Sequence, residues 1–173
     1  MNKEHYVMTI KAEDRPGLLH LVTGMIEKRL ISINSLSYAP TDIHDIILIT
    51  IEVLAEEGVL TQLSLKLENI IEVFTVEVSQ YNSGICLRAA YFKMKKTLLE
   101  SPTAISLSRF DATLVQIYPD ALLFAKYGTD ASIRKLYNEL DGLHLIGFSQ
   151  TGLITDSKLI GEDESSVINR LAA

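Results

Sequence analysis

The chain holds one cysteine, no tryptophan and four prolines in 173 residues. With Cys86 alone, neither an intramolecular disulfide nor a cysteine-built metal site can form. Its setting, "GICLRAA", reads as a strand in which the thiol is a small core hydrophobe. The four histidines, His5, His20, His44 and His144, show no H-x-x-x-H spacing, and no G-x-S-x-G, P-loop or G-x-G-x-x-G occurs. Nucleophilic, zinc-dependent and nucleotide-dependent catalysis are therefore left without a motif. No apolar run approaches the ~18 to 20 residues that span a bilayer. The opening "MNKEHYVMTI" has no apolar h-region followed by a small-residue cleavage site, so the expectation is a cytoplasmic chain with no membrane partner.

Positive charge is also scarce, and unevenly so. Residues 1–82 carry 6 Lys and Arg against 12 Asp and Glu, whereas 83–173 carry 10 of each. An acidic N-terminal half repels phosphate backbones, and no basic stripe with interleaved aromatics offsets it, which argues against nucleic acid as a ligand. Acidic neighbours such as Glu56-Glu57 and Glu162-Asp163-Glu164 fall in polar loops or in the tail, where they read as solvated charge. At 47% hydrophobic, the chain can bury roughly 70% of the surface its unfolded form exposes, enough for a core without staples.

What is present is a regular alternation of strand and helix patterns. "YVMTIKA", residues 6–12, alternates apolar and polar with the period of a half-covered strand. Leu18, Leu19, Val22, Met25 and Ile26 then recur at helical spacing. "ISINSLSYA" and "IILITIEVL" are two strands joined by the turn "PTDIHD". A helix over about 58–68 turns Leu60, Leu63 and Leu67 inward, and "IEVFTVEVS" is a fourth strand. After a linker at "QYNSG" the same order recurs. "CLRAAYFKMK" is a strand, and "SPTAISLSRF" a helix with Ser101 as N-cap and Pro102 at its first position. "ATLVQIYPDALLFAKYG" is a hairpin turning at Pro119-Asp120, "ASIRKLYNEL" a helix capped by Asp130, and "LHLIGFSQTGLITDS" an extended run. The expected fold is α+β, two ferredoxin-like βαββαβ domains in tandem over 1–80 and 84–161, with a tail at 162–173 that is either frayed or docked. Sheets of this kind leave edge strands that a second copy can pair with, so a homodimer is expected.

The stretch "AEDRPGLLHLVTG", residues 12–24, is the candidate site. Pro16 pushes Arg15 out of helical geometry, so a helix begins at Pro16 or very near it, with Gly17 in its first turn. The backbone amides of residues 16–18 at the positive end of the helix suit a carboxylate, and Asp14 can answer an ammonium group on the same small zwitterion. The same residues also fit an ordinary strand-to-helix turn that binds nothing.

The run "EDRPGLLHLVTGMIEKRLISINSLSYAPT" resembles the ACT-domain opening of the acetolactate synthase (acetohydroxyacid synthase) small-subunit family. That family has an Asn or Asp before a helix-starting Gly, an Arg-Gly-aromatic-Asn-Ile-Glu-Ser-Leu run, and a Thr/Ser-Val-Ala-Pro-Thr turn. Asp14, Gly17, Leu19, Arg29, Ile33, Ser35, Leu36, Ala39, Pro40 and Thr41 fall in register with it. "LRAAYFKMK", Phe110, "YPDALLFAKYGT" and "GFSQTGLITDSK" resemble the family's C-terminal domain, so the similarity runs to about residue 161. The resemblance implies a non-catalytic regulatory subunit that activates a large catalytic subunit and relays feedback from a branched-chain amino acid, most often valine. It implies that the ACT halves of two chains pair into one larger sheet, with the effector at the seam. Asp14, Pro16, Gly17, Leu18 and Leu19 would come from one chain, and Ser32 and Ile33 from strand two of the other. It implies no catalytic residue, metal or cofactor here, with thiamine diphosphate, magnesium and flavin on the partner. Ser32 stands where the family has Asn, Leu30-Ile31 replaces the Gly-aromatic pair, and Asn34 replaces Glu. These departures imply weaker effector binding or a different apolar amino acid. The competing expectations are a stand-alone ACT-domain amino-acid sensor and, further off, an unrecognised enzyme on the same scaffold.

Overall fold

The computed structural model describes residues 3–100, 107, 109–140, 142 and 144–156, with the side chains of 99 and 100 excepted. The chain divides into two compact units, one formed by residues up to 85 together with those from 152 onward, the other by 86–151. The expected helix at Ser101-Pro102 and the tail at 162–173 lie outside the described residues.

The first unit runs β1 (Glu4–Glu13), α1 (Leu18–Glu27), β2 (Ser32–Pro40), β3 (Ile46–Ala55), α2 (Glu57–Glu68) and β4 (Val73–Gln80). Its four strands lie in the order β2-β3-β1-β4, all neighbours antiparallel. The period-two pattern of β1 places Tyr6, Met8, Ile10 and Ala12 on one face, where they meet Ile47, Ile49, Ile51 and Val53 of β3 in a single buried cluster. Leu18, Val22 and Ile26 of α1 and Leu60, Leu63 and Leu67 of α2 close that cluster. Each such burial is worth about 1.5–3 kcal/mol before chain entropy is subtracted. Leu19 and Met25 are only partly buried against it, so the expected five-residue stripe resolves into a three-residue inner line with two flanking members. The sheet's other face also buries Val7, Thr9, Thr50 and Glu52. Residues 152–156 are held to this unit at two points. Ile85 N–H donates to the Asp156 carboxylate at 2.9 Å, and Asp156 N–H donates to Ile85 C=O at 3.3 Å.

The second unit runs β5 (Cys86–Lys95), a 3-10 turn (Lys96–Glu100), β6 (Thr113–Ile117), β7 (Ala121–Gly128), α3 (Asp130–Leu140) and β8 (Leu145–Gln150). Its order β6-β7-β5-β8 repeats the 2-3-1-4 arrangement of the first sheet. Phe92, Met94, Leu122, Phe124, Ile133, Leu136 and Leu140 form its core. The hairpin turns at Pro119-Asp120, closed by Tyr118 N–H to Ala121 C=O at 2.8 Å. Two expectations need correction. Cys86 opens β5 half-buried, not as a core residue. Asp130 is not the helix cap: the Thr129 hydroxyl accepts from Ser132 N–H at 3.3 Å, while the Asp130 carboxylate pairs with Arg88 (3.3 Å) and Arg134 (3.1 Å).

Candidate functional site at the start of α1

The end of β1 is anchored on both sides before the chain turns. Glu13 N–H donates to Glu72 C=O and Asp14 N–H to Asp45 C=O, each at 2.8 Å. Arg15 folds back to pair with Glu13 at 2.6 Å. A tight turn follows, with Leu18 N–H donating to Arg15 C=O at 3.2 Å. Gly17 sits at φ +90°, ψ −13° as the residue that caps α1, and no side chain caps that helix start.

This places the helix boundary two residues later than Pro16. A left-handed backbone at Gly17 takes the chain off the helical path, so the first helical residue is Leu18 and Gly17 stands just outside the first turn. The amides differ accordingly from those of residues 16–18. Pro16 has no N–H and that of Leu18 is taken by Arg15. Among the described residues no acceptor pairs with the N–H of Gly17, Leu19 or His20. A Cβ on Gly17 would meet nothing within 4 Å, so glycine is required there for its dihedral and not for want of room.

Asp14, Arg15, Pro16 and Gly17 are exposed, and Leu19 is half-buried. Leu18 is 4% exposed within the core cluster, so in this chain it offers a ligand neither its side chain nor its N–H. The Asp14 carboxylate is already in use on one side: the Tyr38 hydroxyl donates to Oδ1 at 2.6 Å. That bond, then desolvation, then the carboxylate's charge push the Tyr38 phenol above its ordinary pKa. Tyr38 was not among the expected site residues. It lies 24 positions away in sequence and reaches Asp14 because the β2–β3 register sets it opposite Ile49, on the face that carries α1.

Ser32 and Ile33 are elsewhere. They pair with Leu54 and Val53 at the far end of β3, the end that lies beside His5. Ser32 is exposed and Ile33 half-buried. Tyr38 lies six positions beyond Ser32, roughly 20 Å of strand. A single chain therefore does not bring Ser32 and Ile33 to Asp14 and Gly17; it carries the two groups at opposite ends of its edge strand β2. A bulge between Ile33 and Ser35 sets the near end, and a polar cluster pins it. Ser35 Oγ donates to Glu52 Oε2 at 2.7 Å, His5 Nε2 lies 2.8 Å from Glu52 Oε1 and 3.2 Å from the Asn34 amide, and His5 stacks on Tyr81 at 4.3 Å.

Known proteins agree with this architecture. Residues 8–75 match the AHAS small subunit-like ACT domain. The chain is 23% identical over 154 residues to the acetolactate synthase small subunit of Mycolicibacterium smegmatis, covering 88% of this chain and 91% of that one. It is 23% identical over 159 residues to that of Mycobacterium bovis, covering 91% and 95%. The crystal structure of the Thermotoga maritima acetolactate synthase small subunit superimposes with a TM-score of 0.79 at 13% identity, over 88% of this chain and 96% of that chain, which supports the two-sheet fold. With its 2-3-1-4 sheets and with relatives matched over nearly their whole length, this chain is similar to acetolactate synthase small subunits, and residues 8–75 match the ACT domain of that kind.

Proposed function

We propose that the chain is a non-catalytic regulatory subunit that binds a free branched-chain amino acid between two copies of itself and passes that signal to an acetolactate synthase large subunit. The observation that carries this reading is the separation of the two half-sites along β2. β2 is an edge strand, and antiparallel pairing of two such edges, centred near Leu36, sets the Ser32 end of one copy beside the Tyr38 and Asp14 end of the other. The seam then offers a carboxylate for the ligand's ammonium, the N–H groups of Gly17, Leu19 and His20 for its carboxylate, and Leu19 with the partner copy's strand two for its apolar side chain. Charge selects amino acids as a class, while the apolar wall selects among them. Ser32 has a shorter reach and fewer donors than the amide it replaces, which weakens the polar grip from that side.

Catalysis, with thiamine diphosphate, magnesium and flavin, is assigned to the large subunit, in the cytoplasm. Effector binding need favour one geometry of the complex by only ~1–3 kcal/mol to regulate it. The test is twofold. Calorimetry of the purified chain with valine, leucine and isoleucine should show saturable binding to a dimer. A pull-down with the large subunit should show association that responds to the same amino acid. Binding of an amino acid without any association would instead identify a stand-alone sensor.

A further inference from the structure

Tyr38 stands at the outer half of β2, with its hydroxyl 2.6 Å from Asp14 Oδ1. Tyr38 is 37% exposed and Asp14 is exposed as well, so this bond is not a by-product of core packing. An exposed aspartate with no partner samples several rotamers, and a ligand that needs it in one of them must order it. A carboxylate has about four acceptor positions, and a single phenol donor occupies one of them. The backbone N–H of Asp14 is already bound to Asp45 C=O, so backbone and carboxylate are each fixed by one bond. Oδ2 is the oxygen Tyr38 leaves open.

We propose that Tyr38 is a positioning residue of the effector site, holding Asp14 by one oxygen so that the other meets the ammonium of a zwitterionic amino acid. The inference rests on the functional reading above. A neutral phenol suits the task better than a cation would: it orients the carboxylate without cancelling the charge that attracts the ligand. The neighbouring cation Arg15 is turned away to Glu13, which leaves that charge in place.

The experiment compares the full-length wild type, Tyr38→Phe and Asp14→Asn by calorimetry. Each is titrated with the amino acid that the wild type binds and with its deaminated analogue, 3-methylbutanoate in the case of valine. Asp14→Asn should weaken the amino acid about 10- to 100-fold and Tyr38→Phe about 3- to 10-fold, in line with the loss of a charge-assisted bond and of its orienting donor. The analogue has no ammonium, so Tyr38→Phe should leave its weaker binding unchanged. A spectroscopic readout needs no ligand: the ring-carbon resonance of Tyr38, assigned by its absence in Tyr38→Phe, should shift in Asp14→Asn. If Tyr38→Phe binds as tightly as the wild type or tighter, or weakens both ligands equally, the positioning role is lost while the functional reading stands. If the wild type binds no amino acid, both fall.

Discussion

The two units share one strand order, yet α1, after the first strand of one, and α3, after the third strand of the other, begin in opposite ways. α3 is closed: Thr129 caps it, and the acid in its first turn is held by Arg88 and Arg134. α1 is open: a left-handed glycine precedes it, no side chain caps it, and the nearest acid points to a tyrosine on another strand. The difference lies in how each chain segment satisfies its backbone, since the sheets behind them are alike. Side-chain caps close orphan amides; α2 also lacks one, with an extended Glu56 before it, so what sets α1 apart is the left-handed Gly17 together with the tyrosine-held acid beside it.

The largest test of this contrast is a core deletion in the closed unit. Phe92→Ala removes a fully buried ring and should destabilise by about 3–5 kcal/mol. Hydrogen exchange should show the loss of protection over 86–151 while effector affinity holds in the fraction that stays folded. Next is Gly17→Val in the open unit. Forcing a β-branched residue to φ +90° should cost roughly 1–3 kcal/mol in thermal unfolding and abolish effector binding. Thr129→Ala is its counterpart. It should cost about 1 kcal/mol and leave the effector isotherm unchanged, and an altered isotherm would erase the distinction between the two helix starts.

The smallest effect concerns alkaline pH. Because the Tyr38 phenol is raised in the folded chain, its contribution to stability is complete below the unfolded value of about 10 and fades as pH climbs through the higher folded value. The difference in Tm between wild type and Tyr38→Phe should therefore be flat at neutral pH and shrink above about pH 10.

Much of this was legible in the sequence where a local rule was in force. Alternation marked β1, helical spacing marked α1 and α2, and Pro119-Asp120 marked a hairpin, because each depends on neighbours a few residues apart. The spacing of Leu18, Val22 and Ile26 already placed Leu18 in the core, which conflicts with using it to hold a ligand; the structure resolves that conflict in favour of burial. The cap expected at Asp130 is one residue off, at Thr129; both residue types are good caps, so a one-residue shift leaves no mark in the pattern. The Tyr38–Asp14 bond was out of reach, since it depends on a strand register set by the whole sheet. The strand order predicted for a βαββαβ unit does imply that Ser32 and Asp14 lie at opposite ends, an inference that needs topology and no side chains.

The central claim is that one effector site is assembled from two copies. Mixed dimers test it most directly: chains carrying Asp14→Asn are paired with chains carrying Ser32→Trp and purified through two different affinity tags. Each variant alone spoils both sites of its homodimer. In the mixed dimer one seam site carries both defects and the other carries neither, so the account predicts wild-type affinity at one amino acid per pair of chains. Failure of the mixed dimer to bind any amino acid, while the wild-type dimer binds, would contradict it.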